Sequence, residues 1–309
     1  MPLPESRPPQ PPGAAPERAI PGPAGLPVLG SMLDLRRDSL GTFTAAQREH
    51  GDVVRLEAGP PGLRSVFHAV FAPDGVQQIL ASQAANFRKD HPLYEEVRQS
   101  FGNGLLTSQD ADYLRQRRLV QPLFTKRRVD GYASAVTTEA TGLADRWRSA
   151  DGHTVDLVPE MNRLPYLTQA LKESMRLYPP APVISRRAVA ATEIGGFRIP
   201  AGADVVVAPW VTHRHPDLWA DPERFDPQRF APEREAERHR YAWFPFGGGP
   251  RSCIGQHFSM LESVLALAVL LRTYELDAVD EEVPVSAGIT LQATGPARVR
   301  LRPRAGAGE

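Results

Sequence analysis

The placement of proline and glycine constrains this chain more than any other feature. Of its 309 residues, 31 are Pro and 25 are Gly, and each proline in a helix interior removes a hydrogen bond and clashes with the preceding turn. The chain therefore reads as short elements separated by turns, with few stretches long enough for an uninterrupted helix. Ten prolines fall in the first 27 residues, without the basic-then-apolar layout of a secretory signal. Residues 1–27 are thus expected to be a Pro-rich extended leader, and Pro21–Gly30 a rigid lead-in to one domain spanning 28–309.

Between these breaks the periodicities are clear. Two β-like runs, Val53–Ala58 and Arg64–Ala72, flank the turn Gly59-Pro60-Pro61-Gly62. Helices are expected over Asp74–Ala81, Tyr113–Phe124 and Tyr132–Arg148, the second with Leu119, Val120, Leu123 and Phe124 on one face. The best helix begins at Pro165, carries Leu167, Ala170, Leu171, Ser174, Met175 and Tyr178 at i, i+3, i+4, i+7 spacing, and stops at Pro179-Pro180. Short strands follow (Val183–Val189, Ile194–Ile199, Val205–Ala208), with Gly195-Gly196 and Pro200–Gly202 as turns. An irregular stretch covers His213–Gly249, an apolar helix Gln256–Tyr274, and two β-like pieces lie near Ile289–Gln292 and Arg298–Leu301. The fold class is mainly α with small β-sheets, an α+β arrangement.

With 36 basic and 36 acidic residues the formal charge is zero, which argues against an electrostatic binder of nucleic acid. The longest apolar run, Val264–Leu271, is well short of the roughly 20 residues of a membrane span. No nucleic-acid partner and no membrane span are expected, and the chain is read as cytoplasmic.

A single cysteine, Cys253, excludes an intrachain disulfide and any zinc site with two Cys ligands. It lies in Phe246-Gly247-Gly248-Gly249-Pro250-Arg251-Ser252-Cys253-Ile254-Gly255, just before the apolar helix, where the helix dipole and free backbone N–H groups favour negative charge. Three glycines allow close approach of a flat ligand, and Arg251 offers a fork for a carboxylate. A cysteine merely packed in a loop is one alternative. A phosphate cradle is another, although G-K-[ST] and a preceding regular strand are missing. A nucleophile pair with His257 is a third, without an orienting carboxamide.

The loop matches F-x-x-G-x-R-x-C-x-G in full at Phe246, Gly249, Arg251, Cys253 and Gly255, and in this the chain resembles the cytochrome P450 family of haem-thiolate monooxygenases. The resemblance implies an incomplete P450-like fold holding haem b (iron protoporphyrin IX), with Cys253 the axial iron ligand whose electron-rich sulfur favours O–O cleavage. Phe246 and Gly255 would contact the haem beside the sulfur, and Arg251 would pair with a propionate. Tyr113 and Arg117 stand where the family has a W-x-x-x-R pair that binds a propionate, and the Tyr113 hydroxyl can donate one hydrogen bond. Arg115 and Arg118 read as a solvated basic face, one that suits an acidic redox partner. Arg186 aligns with the family's other propionate arginine, with Arg187 its rival.

Glu173 and Arg176 form the family's E-x-x-R pair. The spacing alone is uninformative, since Glu95/Arg98, Glu160/Arg163, Glu235/Arg238 and Glu237/Arg240 share it. The family completes the pair with the arginine of P-x-x-F-x-P-x-R-F, here Pro222, Phe225, Pro227, Arg229 and Phe230, with Arg224 a weaker candidate; the triad Glu173, Arg176, Arg229 is structural. His213 and His215 mimic an H-x-H metal pair, but the family has loop there.

The resemblance also exposes a gap. Only 56 residues separate Arg117 from Glu173, where the family inserts several helices, and the two blocks join near Asn162–Pro165. No A-G-x-[DE]-T-[TS] element occurs, and Thr137-Thr138-Glu139 has the residue types in the wrong order and place. That element supplies the distal acid/alcohol pair, so no catalytic residue is assigned. The intact family inserts one atom of O2 into a lipophilic substrate with electrons from NAD(P)H through a ferredoxin- or flavodoxin-type donor. For a chain with this gap the alternatives are a haem-binding remnant or interaction protein without turnover, and a peroxide-driven oxidant.

Overall fold

The computed structural model describes residues 18–147 and 165–304. The extended lead-in is not free: Arg55 N–H donates to the Pro21 carbonyl at 2.8 Å, and Leu26 and Gly30 exchange two backbone hydrogen bonds. Ile20 packs against the core, so the chain joins the domain several residues before 28. The rest of the leader, 1–17, lies outside the described residues.

Helices α1 (Met32–Arg37) and α2 (Ser39–His50) precede a hairpin of β1 (Val53–Ala58) and β2 (Ser65–Val70). Asp38 caps α2 by accepting from Gly41 N–H at 2.8 Å. The turn α3 (Pro73–Gln77) runs into a π-helical turn at Gln78–Ser82, followed by β3 (Phe87–Arg88), α4 (Pro92–Phe101), α5 (Asp110–Val120) and α6 (Lys126–Trp147). After the undescribed 148–164 come α7 (Pro165–Leu177), β4 (Ile184–Ala188), the hairpin β5 (Thr192–Ile194) and β6 (Phe197–Ile199), β7 (Asp204–Val207) and α8 (Pro209–Thr212). The chain continues through α9 (Pro232–Glu237), α10 (Gln256–Thr273) and four terminal strands, β8 (Tyr274–Ala278), β9 (Val285–Ala287), β10 (Leu291–Ala293) and β11 (Val299–Pro303).

The main sheet has the order β1-β2-β7-β4-β3, with β2 and β7 parallel and the other pairs antiparallel. Alternation sends Val205 and Val207 to one face, with Val70, Ile79 and Phe244, and Val206 to the other, with Leu56, Ala69 and Phe71. A separate core joins α6 to α10 through Val129, Ala133, Leu261, Leu265 and Val269. Tyr241 and Phe244, which lead into the cysteine loop, belong to the core on the first of these sheet faces.

Several expectations are corrected. The helix expected over Tyr113–Phe124 is α5 followed by a separate 3-10 turn at Gln121–Phe124, because Pro122 cannot donate to a continuing α-helix. Its apolar stripe is not core: Leu119 and Leu123 are 76% and 50% exposed. Helix α6 starts at Lys126, six residues before the expected Tyr132, and Arg148 lies outside the described residues. Gly195 and Gly196, both at positive φ (57° and 78°), split Ile194–Ile199 into a hairpin. Helix α9 and 3-10 turns interrupt the stretch expected to be irregular, and Tyr274 starts a strand instead of ending α10.

Candidate functional site

The cysteine loop is locked from both sides. Cys253 N–H donates to the Phe246 carbonyl at 2.9 Å, Ser252 N–H to Gly249 at 3.1 Å and Gly247 N–H to Phe244 at 2.9 Å. Gly249 has φ +62°, and a Cβ there would lie 2.0 Å from the Leu80 carbonyl oxygen in the π-helical turn; a Cβ on Gly248 would meet the Tyr241 ring at 2.4 Å. Of the three, Gly247 alone has room for a Cβ. Gly248 and Gly249 therefore serve close protein packing. Gly249→Ala combines a left-handed backbone penalty of about 1–2 kcal/mol with a backbone collision. It should lower the denaturant midpoint and displace the loop, whereas Gly247→Ala at equally positive φ should lose the backbone term alone.

The loop forms one wall of a cleft of about 660 Å3. Cys253, an exposed free thiol, and Phe246 open onto it. So do four cationic side chains from four different segments: Lys89 after β3, Arg117 on α5, Arg186 on β4 and Arg251. Among the described residues no Asp or Glu lines the cleft, and most of its surface is apolar. Gly255 is not among its lining residues; it sits at the N-terminus of α10 with ordinary spacing to Cys253 Sγ and Phe124.

Each cation is held by neutral groups. Arg117 donates to the Tyr113 hydroxyl at 2.6 Å and to the Ser252 carbonyl at 3.0 Å. Tyr113 gives its one hydroxyl proton to the Pro250 carbonyl at 2.7 Å. The expected outward hydrogen bond from Tyr113 is thus already used within the loop. Arg251 stacks on the Tyr113 ring at 3.6 Å and donates to the Ser108 carbonyl. Arg186, buried, donates to the Tyr94 hydroxyl at 3.0 Å, whereas its rival Arg187 pairs with Asp204 at 2.7 Å. Burial lowers the pKa of Arg251.

Lys89 and Tyr94 escape sequence reasoning. Lys89 is 7% exposed, donates to the Leu106 carbonyl at 2.7 Å and lies 5.1 Å over the Tyr94 ring. Burial, then the Arg186 and Arg251 charges, push its pKa down to about 6. No local pattern marks it, since its partners come from α4, β4 and the cysteine loop.

Behind the loop, Glu173 and Arg176 are completely buried and joined at 2.6 and 2.9 Å. Arg176 also donates to the carbonyls of His213, Pro222 and Arg224. Arg229 approaches Glu173 at 3.4 Å, while Arg224 contributes its carbonyl and keeps an exposed side chain. His213 Nε2 accepts from Phe244 N–H at 2.9 Å, and its pKa is pushed down to about 3 by burial and by Arg176 and Arg214. The triad is thereby tied through His213 to the residues that lead into Phe246. His215 pairs with Asp52 at 2.9 Å, and His257 is exposed on α10.

The family model described as Cytochrome P450 matches residues 20–163 and 155–296. The chain belongs to the cytochrome P450 family. The match comes in two segments that meet where the two sequence blocks join. Cyclooctatin synthase of Streptomyces melanosporofaciens is 25% identical over 408 positions, covering 80% of this chain and 88% of the relative. That alignment is longer than the chain, so a long stretch of the relative faces a gap. Probable cytochrome P450 4aa1 of Drosophila melanogaster is 37% identical over 156 residues, half of this chain and 31% of the relative. The chain spans only a quarter to a third of the length of this and the similar insect relatives. Among solved structures, the cytochrome P450DA heme domain superposes with a TM-score of 0.76 at 18% identity, over 94% of this chain and 98% of that one. A 6-coordinated cytochrome P450 from Thermus thermophilus gives 0.70 at 21%, over 85% and 98%. The fold is that of a P450 with helices and small sheets, and the family cofactor is haem b. The residues present fit that group: one thiol at the wall, and cations without carboxylates where a dianionic ring would bring its acids.

Proposed function

We propose that the chain binds haem b in the 660 Å3 cleft with Cys253 as axial ligand, and that it is a monooxygenase impaired at proton delivery. The observation that carries this reading is the convergence of the lone thiol and four carboxylate-free cations on one apolar cleft. Bound there, the cofactor would supply oxidation of unactivated C–H or C=C bonds at the expense of dioxygen.

The chain's own residues provide the holding and positioning. Phe246 lies at the cleft wall in edge contact with Trp243, where it would shield the sulfur. Arg251, Arg117 and Arg186 would take the two carboxylates, while Tyr113 braces Arg117 and Arg251 and gives them no new donor. The apolar lining suits a lipophilic small molecule. Electrons would come from NAD(P)H through a ferredoxin- or flavodoxin-type donor drawn to the basic residues Arg115 and Arg118, in the cytoplasm.

Among the described residues no acid lines the cleft to pair with an alcohol as a proton relay. The sequence contains no A-G-x-[DE]-T-[TS] element. Thr137 and Thr138 are on α6, whose partner is α10, and neither lines the cleft. The chain reconstituted with one haem and supplied with electrons should therefore consume dioxygen mainly as peroxide, with organic product a minor fraction. Parallel assays of oxygen, peroxide and product check this. Tight coupling to product would refute the impairment, and product formed only when peroxide is added would favour the peroxide-driven reading.

A further inference from the structure

A run of hydrogen bonds leads from the buried Glu173/Arg176 pair to the cysteine, and one side chain carries it from the 213–230 stretch across to the loop. We infer that His213 is a positioning residue for Cys253: it holds the backbone two residues ahead of Phe246, so that the sulfur stands at one fixed place on the cleft wall. The role rests on the reading of Cys253 as axial ligand.

His213 is anchored before its ring reaches anything. It is 0% exposed, its N–H donates to the Pro209 carbonyl at 2.9 Å, and its carbonyl accepts from Arg176 at 2.8 Å. The hydroxyl of the preceding Thr212 donates to the Phe71 carbonyl at 2.8 Å, which ties the same turn to the end of β2. From that fixed point Nε2 accepts from Phe244 N–H at 2.9 Å, and the two rings meet edge to face at 5.2 Å. The bond sets the tautomer. A ring nitrogen that accepts carries no hydrogen, so the proton is on Nδ1, turned to the backbone of Met175 and Arg176. Burial beside the Arg176 and Arg214 guanidiniums keeps the ring neutral, and a charged ring would set a second hydrogen against the amide.

Beyond Phe244 the bonds continue on the backbone. The Phe244 carbonyl accepts from Gly247 N–H, and the Phe246 carbonyl from Cys253 N–H, each at 2.9 Å. Gly249 against Leu80 holds the far side of the loop, and the Trp243 indole ties the near side to the Lys172 carbonyl at 3.2 Å. His213 grips the backbone itself. A leucine at 213 would fill the space without an acceptor and leave the buried Phe244 N–H unpaired, which costs more than a hydrogen bond normally contributes. Relief requires the Phe244 backbone to move, and the Phe246 carbonyl and Cys253 move with it. A metal-ligating group must be held within about 0.5 Å of its productive place.

Two measurements on the full chain test this. In the haem-free chain, His213→Leu should speed amide hydrogen exchange at Gly247 and Cys253 by about tenfold relative to β2. In the haem-loaded chain, reduced and exposed to carbon monoxide, His213→Leu should lose about half or more of the red-shifted thiolate band. His213→Gln, whose amide oxygen stands as many bonds from Cβ as Nε2, should restore both. Leu56→Ala, in the core on the opposite sheet face, should lower the melting midpoint and change neither. Where His213→Leu is insoluble, the more pliable His213→Met is read in its place. A full band or unchanged exchange at Gly247 and Cys253 in the apolar variant overturns the role of His213 alone. So does a His213→Gln chain no better than the apolar variant, or an equal loss of band in Leu56→Ala. A wild-type chain that binds haem without the thiolate band overturns Cys253 ligation, and this role with it.

Discussion

Arg176→Ala should lose about 3–5 kcal/mol of unfolding free energy, a large share of the roughly 5–15 kcal/mol that holds a domain folded. The substitution strands the Glu173 carboxylate, which is 0% exposed. It also takes the donors from three carbonyls, those of His213, Pro222 and Arg224. Arg229 cannot take over, because it reaches Glu173 at only 3.4 Å and is itself committed to the Asp221 carbonyl at 2.9 Å. Helix α7 would then lose three hydrogen bonds to the 213–230 stretch and keep the one from Asp226 N–H to Glu173 at 2.8 Å. The expected result is a thermal midpoint lower by roughly 10 °C, and in a marginal background no soluble protein. Arg176→Lys should fall between, since one ammonium cannot reproduce a fork that meets two carboxylate oxygens and three carbonyls. By contrast, Lys126→Ala removes an exposed ion pair with Asp130 and should cost about 0.5 kcal/mol or less. Equal losses in Arg176→Ala and Lys126→Ala would contradict the role given to the triad.

The second large effect is spectroscopic. Cys253→Ala should leave the fold intact, because the thiol is exposed and the loop is held by backbone hydrogen bonds from Cys253, Ser252 and Gly247. Porphyrin binding should persist in weakened form through Lys89, Arg117, Arg186 and Arg251. The red-shifted absorption of the reduced carbon monoxide complex should vanish, because that shift requires a thiolate ligand. Loss of all haem with an unchanged melting midpoint would show that the sulfur, and not the cations, provides most of the affinity.

Local chemistry makes much of this fold legible. Proline at the first position and a Pro-Pro stop delimit α7, and a Gly-Gly turn places the β5–β6 hairpin. The cysteine loop and the Glu173/Arg176 spacing can be read because their residues are close in sequence. Long-range packing cannot. The parallel pairing of β2 with β7 joins His68 to Val205, and no local periodicity encodes it. Arg186 and Tyr94 meet across 92 positions, which is why Lys89 and Tyr94 are invisible beside the arginines. Arg186 and Arg187 are neighbours of the same type, separated only by strand alternation that sends one into the cleft and the other to Asp204. The stripe of Leu119 and Leu123 misleads for a different reason. Helical spacing shows that a face is apolar but not what covers it, and here that face is exposed.

A lone thiol and a set of carboxylate-free cations are proposed to hold haem b in this shortened P450. The most direct measurement is the difference spectrum of the full chain, loaded with haem, reduced and exposed to carbon monoxide. A red-shifted band that disappears in Cys253→Ala is the result predicted. A band at the position of nitrogen-ligated haem, or one that survives the substitution, would contradict it.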